Sequence, residues 1–437
     1  MADVLRIGIA GLGTVGTSAV RLLRRHADRM RESCGRPIEV TAVSARNRNR
    51  DRHIDLEGLA WYDDPVKLAA EGDIDVFVEL IGGADGAAKA CVEKAIDRGL
   101  PVVTANKALL AKHGMALAAQ AEAAGTTIGY EAAVAGGIPL IKTLREALAG
   151  NEISRVYGIL NGTCNYILSQ METEGLPFDA CLAEAQRLGY AEADPTFDIG
   201  GFDVAHKLTI IAALAFGVEV NPDCVHIEGI ESITLADLKA ADELGYRIKL
   251  LGVAQRTPKG IEQRVHPTMV PKGSAIAQVM GVTNAATIDA DAVGELTLIG
   301  PGAGGDATAS AVISDIADLA KGNRNAVFGK PAADFVPADA PAMQTHEGGY
   351  YVRLSLHDRP GAAAAIAARL AEQNISLESI VQKAPRSERS GSVIGNPVPV
   401  VLLTYATSEA NIRAALETAI GDGYIAGKPQ VIRIERE

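Results

Sequence analysis

The densest run of chemically capable residues is LGYAEADPTFDIGGFDVAHK at positions 188–207. Glu192, Asp194 and Asp198 lie in a stretch punctuated by Pro and Gly, which favours a loop leading into a helix. Asp203 and Lys207 are four residues apart and share one face of that helix. The residues that follow, LTIIAAL at 208–214, are nearly all apolar and must be buried. A charged pair at the mouth of a buried helix is costly unless it finds partners or a ligand. An ordinary surface pair at this spacing is worth only ~0.3–0.5 kcal/mol. The upstream carboxylates make a pocket for an amino-acid ammonium the sharper reading. His206 points away from the face of Lys207 and reads as structural.

A second stretch, GILNGTCNYIL at 158–168, reads as a strand, an Asn-Gly turn and a helix start, with Thr163 as its N-cap. Free N–H groups there can hold a carboxylate or a cofactor group. Cys164 offers an alternative: a thiol acidified by the helix N-terminus, as a semialdehyde dehydrogenase working through a thioester would need. No His stands near it in sequence as a base.

At the N-terminal end, IGIAGLGTVG at 7–16 places Gly-x-Gly-x-x-Gly directly after a strand and at the start of a helix. Gly11 permits the tight turn, Gly13 lets backbone N–H groups approach a pyrophosphate, and Gly16 lets helix and strand pack closely. Thr14 and Val15 fall in the same turn. Strand, turn and helix in this order point to a dinucleotide site. The second strand ends Val43-Ser44-Ala45-Arg46, with no acid to hold both ribose hydroxyls. Arg46, followed by Arg48 and Arg50, suits a 2′-phosphate and hence NADPH, although a solvated basic loop would look the same. A third strand, PVVTANK at 101–107, delivers Lys107 to the carboxyl edge of the sheet, where ligands of open α/β sheets bind.

These motifs need elements to carry them. Residues 1–150 alternate strands with Ala-rich helices, as in a doubly wound parallel sheet of Rossmann type. Residues 151–306 read as an α+β substrate and dimerisation domain, with strands near 155–160, 263–270 and 292–299 and a long helix at 202–216. Residues 307–327 form a helix expected to return to the first domain, and residues 328–349, with Pro331, Pro337 and Pro341, read as a linker. Residues 350–437 read as a compact βαββαβ unit of ferredoxin-like fold. The 437 residues carry a net charge of -12 and no Lys/Arg-rich run, which argues against a nucleic-acid or anionic-membrane partner. No apolar run approaches the ~20 residues of a membrane span. Five cysteines without Cys-x-x-Cys spacing, and a start that enters a strand at once, suggest reduced thiols in a cytoplasmic protein.

In their order and separations, the segments 11–16, 105–107, 161–163 and 189–207 resemble the homoserine dehydrogenases, and the resemblance spans essentially the whole chain. It implies that Lys207 is the catalytic proton donor and acceptor, that Lys107 sits between cofactor and substrate, and that Glu192 binds the substrate amine. Asp198 and Asp203 complete that pocket, beside Gly162 and Thr163. EAAVAGGIP at 131–139 is similar to the family's monovalent-cation loop, in which Glu131 and the carbonyls of Val134, Gly136 and Ile138 hold sodium. Composition alone reads it as a Gly-Pro turn. GPGAGG at 300–305, with Gly302, resembles a second cofactor-contacting turn. Cys164 stands where many relatives have Thr, which weighs against a catalytic thiol.

The C-terminal unit opens with YVRLSLHDRPG at 351–361, a strand turning into an Ala-rich helix, and Asn374 is read as opening the next strand. It resembles an ACT domain, a module that often binds amino acids at domain interfaces. Homoserine dehydrogenases that carry one are typically inhibited by threonine, so Asp358, Gly361 and Asn374 are the effector candidates and the module is expected to be detachable. A purely assembling role is the alternative, in a homodimer or homotetramer. A 2-hydroxy-acid dehydrogenase would want a His acid and an Asp after the second strand, and neither is evident. A non-catalytic amino-acid sensor would have lost Lys207 and its carboxylates.

Overall fold

The glycine-rich run follows the first of six parallel strands: β1 (Leu5–Ala10), β2 (Ile38–Ser44), β3 (Ala60–Tyr62), β4 (Val76–Glu79), β5 (Val102–Thr104) and β6 (Ile128–Gly129). Their order is β3-β2-β1-β4-β5-β6, so the winding reverses between β1 and β4 and opens a crevice at their carboxyl ends. Residues 3–338, 346–357, 359–382 and 397–435 are described by the computed structural model. Helices cover both faces of this sheet, which is why β4 is buried along its whole length. The helix Gly305–Ala320 packs against the helix Thr14–Arg25, adding Val312 and Ile316 to the core built by Ile7, Ile9 and Val20.

The second sheet runs from β7 (Ile153–Ile159) through β8 (His226–Ile227), β9 (Tyr246–Thr257), β10 (Gly260–Pro271), β11 (Thr283–Ala290) and β12 (Gly294–Pro301). The long helix Phe202–Phe216 lies on β9 and β10, burying Val204, Leu208 and Ile211. The strands β9 and β11 are additions to the sequence reading. In β9, residues 248–254 are buried on both faces, Lys249 included, so the segment lacks the alternation that marks a half-buried strand.

The C-terminal unit contributes β13 (Glu347–His357), β14 (Leu377–Gln382), β15 (Pro397–Thr404), β16 (Thr407–Ser408) and β17 (Gln430–Ile434), with the helices Ala362–Glu372 and Glu409–Gly421. The order β17-β13-β15-β14 is ferredoxin-like. Three readings are corrected here. First, β13 begins at Glu347, inside the stretch read as linker. Second, Asn374 adopts φ 57 in the turn after the helix, ahead of β14, and does not open a strand. Third, the unit read as detachable shares a sheet with the second domain. β17 pairs in parallel with β10, matching Thr268 with Arg433 and Met269 with Ile434, so one sheet runs through both parts. Asp358 lies outside the described residues. Among the described residues no helix is long and apolar enough to cross a membrane.

Candidate active site

The helix Phe202–Phe216 lifts Asp203 and Lys207 from its first turns into a buried cluster. Lys207 Nζ donates to Asp203 Oδ2 at 2.7 Å and to the Leu160 carbonyl at 2.7 Å. Lys107 Nζ, from the other domain, lies 3.1 Å from Asp203 Oδ1. Asn161 Nδ2 donates to Asp203 Oδ2 at 2.8 Å and to Asp198 Oδ1 at 2.9 Å, tying the two carboxylates together. Burial alone would raise the carboxyl of Asp203; the two ammoniums outweigh it and hold the group well below the usual carboxylate range. Asp198 moves the other way, raised by burial and by the charge of Asp203. An ammonium has three N–H donors. Among the described residues two of those on Lys207 are engaged, which leaves one for an oxygen placed at this edge.

The helix Gly162–Glu174 is capped by Asn161, whose Oδ1 accepts the N–H of Cys164 at 2.8 Å. Thr163 is therefore not the N-cap: Asn161 already reaches the orphan amide. The hydroxyl of Thr163 instead donates to the Tyr190 carbonyl at 2.7 Å and anchors the carboxylate-bearing loop. Cys164 is fully buried, its Sγ donates to the Asp198 carbonyl at 3.2 Å, and burial pushes its thiol far above the usual range. Burial and the neighbouring carboxylates weigh against a thiolate nucleophile there. Glu192 and Asp194 are exposed at the rim and do not join the cluster; Asp194 accepts the Thr196 N–H at 3.1 Å. His206 sits edge-on to Phe197 at 5.2 Å between centroids, and burial lowers its imidazolium.

At the nucleotide crevice, Gly11 has φ 104, and a Cβ there would lie 2.4 Å from the Leu80 carbonyl oxygen. A Cβ on Gly16 would lie 2.0 Å from the Gly11 carbonyl oxygen, whereas Gly13 faces open space. Among the described residues no side chain caps the helix Thr14–Arg25, so its first N–H groups, near Thr14 and Val15, are available to a ligand. A cleft of about 410 Å³ opens there, lined in part by Gly11, Gly13, Arg46, Arg50 and Ile81. Arg52, unremarked in the sequence, braces its wall: Nε donates to the Leu12 carbonyl at 3.2 Å, and the guanidinium lies 5.7 Å from the Trp61 ring. Asp63 also lines the cleft and accepts the Trp61 indole N–H at 2.8 Å. A cavity of about 460 Å³ elsewhere, beside Arg155, Tyr157 and Glu435, contains none of these residues.

Glu131 is buried and accepts the N–H groups of Ile141 and Lys142 at 2.9 and 2.8 Å, and burial raises its carboxyl to about 7. The loop carrying Val134, Gly136 and Ile138 abuts the turn at Gly302, since a Cβ on Gly136 would lie 2.3 Å from the Gly302 carbonyl oxygen. Glu79 and Thr104 escaped the sequence reading, and Asn161 was quoted without a role. For Glu79 the signal was a lone carboxylate ending an otherwise apolar strand before Gly82-Gly83.

Residues 11–131 match the family model described as "Homoserine dehydrogenase, NAD binding domain", residues 139–317 match "Homoserine dehydrogenase", and residues 350–421 match "ACT domain". The chain is 46% identical over 418 residues to the homoserine dehydrogenase of Neisseria gonorrhoeae, covering 94% of each chain. It is similar to the crystal structure of a homoserine dehydrogenase from Thiobacillus denitrificans, with TM-score 0.92 and 42% identity over 99% of this chain and 98% of that one. A hyperthermophilic archaeal homoserine dehydrogenase, solved in complex with NADPH, aligns with TM-score 0.64 and 26% identity, covering 74% of this chain and all of its own.

Proposed function

Because the chain belongs to the homoserine dehydrogenase family and is an oxidoreductase with an NAD-binding domain, we propose that it interconverts L-aspartate 4-semialdehyde and L-homoserine, with NADPH as preferred cofactor and threonine as feedback effector. That places it in threonine and methionine biosynthesis. The carrying observation is the buried Asp203 carboxylate held between Lys207 and Lys107, with one Lys207 N–H unengaged among the described residues. A nicotinamide nucleotide bound in the crevice supplies or accepts the hydride. Lys207 gives a proton to the aldehyde oxygen as negative charge develops there, and takes the hydroxyl proton back in the oxidative direction. Lys107 orients the same oxygen from the cofactor side. Asp203 fixes both ammoniums, while Asp198 receives the substrate amine beside Gly162 and Thr163; Glu192, exposed at the rim in this structure, would have to turn inward to share that amine.

The open space above Gly13 and the uncapped N–H groups fit a pyrophosphate, and Arg46 with Arg50 fits a 2′-phosphate. Gly302 would contact the nucleotide from the second domain. The NADPH complex of the archaeal relative supports the same choice. Glu131 with the carbonyls of Val134, Gly136 and Ile138 would hold a sodium ion: the buried carboxylate takes two backbone N–H groups and has no Lys or Arg ion-pair partner among the described residues, which leaves a cation to balance it. Such an ion would brace the junction with the Gly302 turn. Gly361, at φ 88 as the N-cap of the helix Ala362–Glu372, and Asn374 are the described effector candidates. The five free cysteines suit a reducing cytoplasm, and assembly as a homodimer or homotetramer completes the reading. Comparing kcat/KM for NADP and NAD with homoserine, then titrating threonine, tests it. A preference for NAD would remove the cofactor assignment, and activity flat in threonine would leave the ACT domain an assembly element.

A further inference from the structure

Glu79 is fully buried at the carboxyl end of β4, between Ala10 of β1 and Thr104 of β5 in the strand register. A buried carboxylate is costly unless its lone pairs are filled. No Lys or Arg pairs with this one among the described residues. Its Oε1 accepts the N–H groups of Ile81 and Gly82 at 2.7 and 3.0 Å, and its Oε2 accepts the Thr104 hydroxyl at 2.6 Å. Thr104 Oγ1 in turn accepts the Asn106 N–H at 3.0 Å, and Asn106 Nδ2 donates to the Gly83 carbonyl at 2.7 Å. These bonds close a ring. One side of it is the turn at 81–83, whose Ile81 lines the nucleotide cleft. The other side is Asn106, which caps the helix Lys107–Ala123 by accepting the Leu109 N–H at 3.0 Å. Lys107 is the first residue of that helix and reaches Asp203 across the crevice.

We propose that Glu79 is a positioning residue: through Thr104 and Asn106 it fixes Lys107 relative to the cofactor-lining turn at 81–83. The proposal rests on the reading of Lys107 given above. An acceptor-only group suits this ring, because a donor facing Thr104 would force its hydroxyl proton to another partner. With two amides and a hydroxyl all donating, a carboxamide would turn a donor toward one of them. The ring sets the spacing between two loops that belong to opposite sides of the reaction, and small displacements of that kind can cost 10²-fold in rate.

The test is a double-mutant cycle on the full-length protein, reading kcat/KM for homoserine oxidation together with a thermal melt. Glu79→Gln and Thr104→Val should each lower kcat/KM by about 10²-fold. In a Lys107→Ala background, each should cost no more than about twofold, because the group they position is gone. Equal factors in both backgrounds would show a general structural role and overturn the proposal, as would Glu79→Gln and Thr104→Val proteins within about twofold of wild type. If Glu79→Gln loses its cooperative melt, the Thr104→Val cycle decides alone. A Lys107→Ala protein with wild-type turnover overturns the reading of Lys107 and this proposal together; additive losses overturn only the proposal.

Discussion

Arg433 anchors the C-terminal strand in the catalytic half, and replacing it with Met removes that anchor while keeping an unbranched apolar side chain of similar length. Its guanidinium is 3% exposed and makes four hydrogen bonds, to Glu228 at 2.7 and 2.9 Å and to Glu409 at 3.0 and 2.8 Å. Breaking a buried pair by removing one partner costs ~3–5 kcal/mol. The lower end applies here, because Glu409 keeps Arg413 and Glu228 keeps His226, and Glu228 is 32% exposed. About 3 kcal/mol corresponds to about 10²-fold in an opening equilibrium. In a protein of several units a global unfolding curve is not a clean readout, so the assay is hydrogen exchange along residues 430–434 and 264–270. Protection there should fall by about 10²-fold. The loss should also raise KM for homoserine, since Glu228 leads into Gly229-Ile230, and the Ile230 N–H donates to the Ile199 carbonyl at 2.9 Å beside the turn that sets Asp203. Exchange unchanged at 430–434 would refute the claim that this network welds the ACT unit to the catalytic sheet. Truncation before residue 350 removes Arg433 and Arg413 from Glu228 and Arg353 from the buried Asp237, uncovers the edge of β10, and is expected to yield an aggregating protein.

Three further outcomes follow from particular side chains. Iodoacetamide at neutral pH should leave activity intact, since Cys164 is buried and its thiol is held protonated; rapid inactivation that homoserine blocks would restore the nucleophile reading. Arg46→Ala should weaken NADPH binding and spare NADH, and an equal loss for both would remove Arg46 from cofactor choice. Lys249, buried where it donates to the Val279 carbonyl at 2.6 Å, has its ammonium lowered to about 8 by burial. Between that value and the unfolded ~10.4 the unfolded chain binds more protons, so stability contributed by this site rises with pH. Lys249→Met should erase a rise on the order of 1–3 kcal/mol between pH 7.5 and 9.5 in urea unfolding, and parallel pH curves would refute it.

Much of the site was legible because its residues carry local signals. The i,i+4 spacing of Asp203 and Lys207 survives as an ion pair, and the glycine spacing at 11–16 survives as a tight turn, an open approach and a close packing contact. What escaped depends on neighbours far away in sequence. Asn161 outcompetes Thr163 as a cap because its side chain also bridges two carboxylates 37 and 42 residues further on. Glu79 means nothing until β5 brings Thr104 beside it. The Pro-rich composition of 328–349 suggested a tether, but β17 returns to pair with β10, a contact that no local pattern announces.

The most direct test of the account is homoserine-dependent reduction of NADP by the purified protein, run beside Lys207→Ala with nucleotide binding measured on both. The wild type should turn over, and the variant should lose at least ~10²–10⁴-fold while still binding NADPH. Near-normal turnover by Lys207→Ala would contradict the assignment of the proton transfer, and a wild-type protein inert toward homoserine would contradict the account as a whole.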